Sequence, residues 1–114
     1  MSAKVSSRQV GEVTVVDLEG RITLGEATNA LRDELRYLIS KNRKKILLNF
    51  AEVSFIDSSG VGQLVAGFTT VSNQGGQLKL LNLSKRVKDV LNMARIASVF
   101  EIYEDEAAAI VTFA

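Results

Sequence analysis

The chain has 114 residues, 46% apolar and 24% charged, with a net charge of +1 and neither cysteine nor histidine. That length suits a single domain over residues 1–114, and the near-zero charge gives no long-range pull on nucleic acid or anionic membranes. The missing residue types exclude disulfides, thiolate metal sites, phosphohistidine chemistry and the usual general base.

The start, Met1-Ser2-Ala3-Lys4-Val5-Ser6-Ser7-Arg8, lacks an apolar h-region, so no signal peptide is expected. No apolar run approaches a membrane span, and a cytoplasmic location is the default expectation. Proline is absent, so glycine has to mark the boundaries. Lys4 to Val10 is a mixed polar stretch that suits an edge strand. Glu12 to Leu18 is β-branched on both faces and predicts a strand that Glu19-Gly20 ends. Gly25 to Asn42 predicts an amphipathic helix, because Ala27, Leu31, Leu35, Leu38 and Ile39 recur at three- and four-residue spacing. Thr23 is its candidate N-cap.

Arg43-Lys44-Lys45 reads as a solvated turn before the nearly continuous apolar strand Ile46 to Phe50, the pattern of a central parallel strand. A second helix is expected from Ser58 to about Asn73, with Gly75-Gly76 as its stop. Gln77 to Leu81 predicts a strand, and Ser84 caps a helix from Lys85 to Ala94. Val99 to Tyr103 predicts the last strand, and Asp105 a final helix through Ala107, Ile110 and Val111. The order β-β-α-β-α-β-α-β-α implies an α/β fold: a four- to five-stranded mixed, mostly parallel sheet with four helices, its first two strands an antiparallel hairpin. The expected core is Val15, Leu18, Leu31, Leu35, Leu47, Leu48, Leu64, Val65, Phe68, Leu80, Val87 and Leu91.

The polar corner Phe55-Ile56-Asp57-Ser58-Ser59-Gly60-Val61-Gly62 joins the central strand to the second helix. The residues of this corner admit four readings. A nucleophilic serine at Ser58 or Ser59 lacks both a histidine base and a Gly-x-Ser-x-Gly elbow. A nucleotide loop lacks the Gly-Lys-Ser/Thr ending and the third glycine of a dinucleotide fingerprint, and Asp57 repels phosphates. A purely structural corner uses Asp57 or Ser58 as a helix cap, with Gly60 and Gly62 allowing close packing. A regulatory phosphosite at Ser58 adds about two negative charges at a helix N-terminus, where the dipole favours them by about 0.3–1 kcal/mol.

Asn49 followed by Val53 to Gly62 resembles the signature of the STAS domain, most closely the bacterial anti-sigma-factor antagonists. The likeness covers nearly the whole chain: Asp17 to Ile22 matches the family's early strand and glycine turn, Gly75 to Leu80 its later Gly-Gly and strand, and Ser84 to Ile96 its third helix. The resemblance implies a switch protein with no catalysis, metal or cofactor of its own, ATP belonging to the partner. In that family the unmodified antagonist binds an anti-sigma factor that is also a serine kinase, and so releases a sigma factor. The kinase modifies the first serine of the motif, here Ser58, and a serine phosphatase reverses it. The partner surface is expected at Arg21, Ile22, Thr23 and Leu24 together with Asp57, Ser58, Ser59, Gly60, Val61 and Gly62.

Many antagonists carry an acidic residue near the phosphosite where this chain has Thr23, which leaves the corner one unit less negative. Val61 has two readings, partner contact and core residue. STAS domains also serve as binding subunits of transporters, including lipid transporters. In that alternative Ser58 is only a cap.

Overall fold

The computed structural model describes residues 3–113. The elements are β1 (Lys4–Val10), β2 (Val13–Ile22), α1 (Glu26–Ser40), β3 (Lys45–Ile56), α2 (Ser58–Asn73), β4 (Gln77–Leu81), α3 (Lys85–Met93), a 3-10 turn (Ala97–Val99), β5 (Ile102–Tyr103) and α4 (Glu106–Ile110). The five strands form one sheet in chain order. β1 and β2 are antiparallel, and every later pairing is parallel. Gly11, at φ 61°, takes the positive-φ position of the β1–β2 turn. The α/β order expected from the periodicities is the order observed.

Side-chain alternation along the strands divides the interior in two. Val16, Leu18, Ile46, Leu48, Phe50, Leu78 and Leu80 share one face with Leu31, Leu35, Leu64, Val71, Val87 and Leu91 of the three longer helices. Val13, Val15, Leu47 and Leu81 point the other way and pack under Ala109 of α4 and Phe113. Apolar residues on both faces are what a covered parallel strand requires.

Lys79 also lies on this second face and is 4% exposed. Its ammonium donates to Thr112 Oγ1 at 2.8 Å and to the Thr112 carbonyl at 3.1 Å. It also lies 4.8 Å from the Phe113 ring centre. These contacts satisfy a buried cation and fix the segment after α4 to the sheet.

Two strands run further than their local patterns predict. β2 continues past Glu19-Gly20 to Ile22, because β3 continues alongside it to Ile56. Register irregularities between Asp17 and Glu19 and between Gly20 and Arg21, with Gly20 at φ 91°, absorb the glycine without ending the strand. The last strand is shorter than expected. Only Ile102 and Tyr103 pair with β4, and Val99 belongs to the 3-10 turn. All the expected core residues are buried except Val65 and Phe68, which are half-buried against the core. Phe68 meets Phe100 edge-on with ring centres 5.3 Å apart. Ala94 and Val111, expected inside the last two helices, lie just past them and are exposed, because α3 ends at Met93 and α4 at Ile110.

Candidate functional site

β2 and β3 end side by side, with Arg21 opposite Phe55 and Ile22 opposite Ile56. The loop into α1 and the start of α2 therefore leave the same edge of the sheet, where parallel α/β folds place their functional loops. Asp57 turns β3 into α2. Its backbone is extended (φ −104°, ψ −176°), and its Oδ1 accepts from Gly60 N at 2.9 Å. Asp57 is thus the N-cap, and Ser58, one of the two cap candidates, is the first residue inside the helix. Its side chain is exposed, and no acidic side chain lies in the first turn.

The second oxygen of Asp57 accepts from Leu24 N at 3.3 Å. One carboxylate therefore joins the β2–α1 loop to α2. Gly60 makes this approach possible. A Cβ built there would fall on the Ile22 carbonyl oxygen and lie 2.6 Å from Ile56 Cγ1. That is a glycine required by proximity, since any side chain would force the helix off the sheet.

The expected surface separates into support and display. Ile22 is fully buried, Gly60 is buried, and Val61 is 8% exposed within the main core. Ile22 and Val61 turn their side chains into the core, and Gly60 has none to present. Val61 follows its core reading, because it belongs to the inward stripe with Leu64 and Val71. Arg21, Leu24, Ser58 and Gly62 are exposed, and Thr23, Asp57 and Ser59 are half-buried. Leu24, 78% exposed, is the large apolar side chain that this corner leaves in solvent. The Arg21 guanidinium lies 4.6 Å over the Phe55 ring centre, and Arg21 forms no ion pair among the described residues. Thr23 does not cap α1. Gly25 takes that position at φ 113°, and its N–H donates to Thr28 Oγ1 at 3.1 Å. The positive φ suits glycine and bars Thr23's residue type from the same role.

A polar ladder, absent from the sequence reading, crosses the open part of the second sheet face. Arg8 donates to Asp17 at 2.8 Å and to Glu106, and Asn49 Nδ2 donates to Asp17 at 2.8 Å. Asn82 in turn donates to Asn49 Oδ1 at 3.1 Å. The Arg8 hydrogen bonds hold the carboxyls of Asp17 and Glu106 below the usual carboxylate range. The strand registers and the placement of α4 bring these residues together, Arg8 and Glu106 across 98 positions of sequence, a separation that no local pattern reveals.

A cavity of about 610 Å³ lies at the opposite end of the strands against Arg43, Lys44, Lys45 and Gly76. Among the described residues no group of three His, Cys, Asp or Glu could hold a metal ion. No helix among them is long and apolar enough to cross a membrane.

The chain is similar to several known proteins. The chain is 30% identical over 102 residues, 90% of its length and 92% of the relative's, to the anti-sigma-B factor antagonist of Bacillus subtilis. SpoIIAA, a Bacillus cell fate determinant solved in its phosphorylated form, superposes with a TM-score of 0.75 at 25% identity, covering 96% of this chain and 98% of that one. The Thermotoga maritima protein TM1081 shares the fold with a TM-score of 0.88 at 21% identity, covering 96% and 93%. The STAS domain family model matches residues 4–109, and the chain belongs to the STAS domain family.

Proposed function

We propose that this chain is an anti-sigma factor antagonist switched by phosphorylation of Ser58. Unmodified, it binds an anti-sigma factor that is also a serine kinase, in the cytoplasm, and so frees a sigma factor. The kinase brings ATP and transfers a phosphoryl group to Ser58. A serine phosphatase restores the hydroxyl. The chain itself catalyses nothing in this cycle and needs no direct contact with nucleic acid or membrane.

The observation that carries this reading is the division of labour at the corner. Asp57 performs the capping, so the exposed Ser58 hydroxyl has no structural duty there. The alternative of a constitutive transporter subunit, with Ser58 as a cap, loses its structural rationale for the same reason. The names of relatives support the antagonist role: one is an anti-sigma-B factor antagonist, and another has been solved in a phosphorylated form.

The chemistry follows from position. A phosphate at the first helical residue is favoured by the dipole of α2, so the fold survives it. On the partner side it adds a charge and bulk that no longer fit. A loss of about 3 kcal/mol weakens binding roughly a hundredfold. The test is intact mass after incubation with each purified anti-sigma factor kinase of the host and ATP. One added phosphate is expected on wild type and on Ser59→Ala, and none on Ser58→Ala. Ser58→Ala should stay bound to the kinase at wild-type melting temperature, and Ser58→Asp should bind weakly while still folded. Phosphate located on Ser59, or phosphoprotein that binds as tightly as the unmodified form, overturns the proposal.

A further inference from the structure

We propose that Leu24 is the apolar anchor of the partner surface and that Asp57 is the residue that positions it. This rests on the antagonist reading and adds to it a named contact and the group that holds that contact in place.

Leu24 is 78% exposed, while the residue two before it, Ile22, is fully buried. The chain leaves the core at Ile22 and re-enters it at Ala27, so Leu24 stands at the outer bend of a short loop. Such a loop, with an exposed leucine at its tip, would ordinarily sample many conformations. Here its backbone is held at three points. Gly25 N donates to Thr28 Oγ1 at 3.1 Å, Asn29 N donates to the Gly25 carbonyl at 3.0 Å, and Leu24 N donates to Asp57 Oδ2 at 3.3 Å. The first two belong to the helix start. Only the third fixes the loop to the corner that carries Ser58.

A leucine held out in water at this cost in solvation suits an apolar pocket on another protein. Pre-setting the loop lowers the ordering entropy paid on docking. Arg21, stacked on Phe55 and without an ion pair among the described residues, adds a fixed cation to the end of the same strand. The matching surface on the anti-sigma factor is therefore an apolar pocket with a carboxylate at its edge. The side chain of Asp57 is itself engaged within the chain through both oxygens, so it contributes by orientation.

Asp57→Asn separates this role from capping. An amide offers one oxygen where the carboxylate offers two, and its nitrogen cannot accept from an N–H. Asparagine is as good an N-cap as aspartate, and the Gly60 bond at 2.9 Å is the shorter of the two. The variant is expected to keep the cap and lose the Leu24 bond. Amide hydrogen exchange on the isolated chain reads this without any partner. Leu24 N–H should exchange at least tenfold faster in Asp57→Asn, with Gly60 N–H and the melting temperature close to wild type. Titration with the kinase that modifies wild-type protein reads the anchor. Leu24→Ala, which shortens a largely exposed side chain, should weaken binding at least tenfold at a melting temperature close to wild type, and Asp57→Asn should weaken it by a similar factor. Unchanged Leu24 exchange in Asp57→Asn overturns the positioning role. Wild-type affinity in Leu24→Ala overturns the anchor. If no anti-sigma factor binds wild-type protein, the antagonist reading fails and the anchor falls with it, while the exchange result still decides whether Asp57 holds the loop.

Discussion

Replacing Gly60 by alanine tests the closest approach in the corner. The added Cβ would overlap the Ile22 carbonyl oxygen, lie 2.6 Å from Ile56 Cγ1 and lie 3.2 Å from Ile22 Cγ2. The isoleucine side chains have some freedom to turn, but the carbonyl belongs to the backbone of a fully buried strand end. Overpacking of this kind costs typically 1–3 kcal/mol, and a backbone obstacle puts it at the upper end, about 3 kcal/mol. Alanine's better helix propensity returns at most about 1 kcal/mol. The net loss is about 2 kcal/mol, a fall in melting temperature of roughly 6–10 °C for a domain of this size. Gly62 provides the control, because a Cβ there meets nothing within 4 Å. Gly62→Ala should gain about 0.5–1 kcal/mol and melt a few degrees higher. Calorimetry on the two variants therefore reads opposite signs from the same substitution two residues apart. If Gly60→Ala melts at or above wild type, α2 does not approach β2 as described.

Val61→Glu should lower the melting temperature steeply, because it places a carboxylate among Leu64 and its core neighbours; wild-type melting with lost partner binding would instead make Val61 a surface contact. Lys79→Met keeps most of the aliphatic stem but leaves the Thr112 carbonyl without its donor, so about 1–3 kcal/mol of stability should go and the amides after α4 should exchange faster. The Arg8 cluster predicts a pH dependence: Asp17 and Glu106 have lowered pKa values when folded, so their contribution is present above about pH 4 and is lost as the pH falls through those lowered values. Urea midpoints of Arg8→Met should accordingly fall less than those of wild type on acidification, and parallel curves for the two proteins would count against the cluster.

Most of the architecture was legible because it is written in local patterns. The stripe of Leu31, Leu35 and Leu38 needs only its own turn geometry to form a helix with one apolar face. Asp57, Ser84 and Asp105 each cap the helix they precede by accepting from an N–H three residues on, which is a local bond. The apolar run from Ile46 to Phe50 required cover on both faces, and the alternating order of elements supplied it. The exposed serine at the head of α2 was likewise visible, since its neighbours name the helix start.

Tertiary structure decided what depends on distant partners. Strand ends differ from their local patterns because a strand persists where another lies alongside it. β2 outlasts Gly20 because β3 reaches Ile56. Thr23 is a good cap by residue type, yet the loop geometry set by Asp57 and Gly25 put another residue in that position. Ile22 and Val61 carry no mark distinguishing an exposed apolar residue from a buried one. Packing assigned both to the core and left Leu24 outside. The bond between Leu24 and Asp57 spans 33 positions, and Arg8 to Glu106 spans 98. The sequence alone thus determined that an α/β domain presents a serine at a helix start. Only the folded sheet, by bringing two strand ends together, decided which residues support that serine and which stand beside it in solvent.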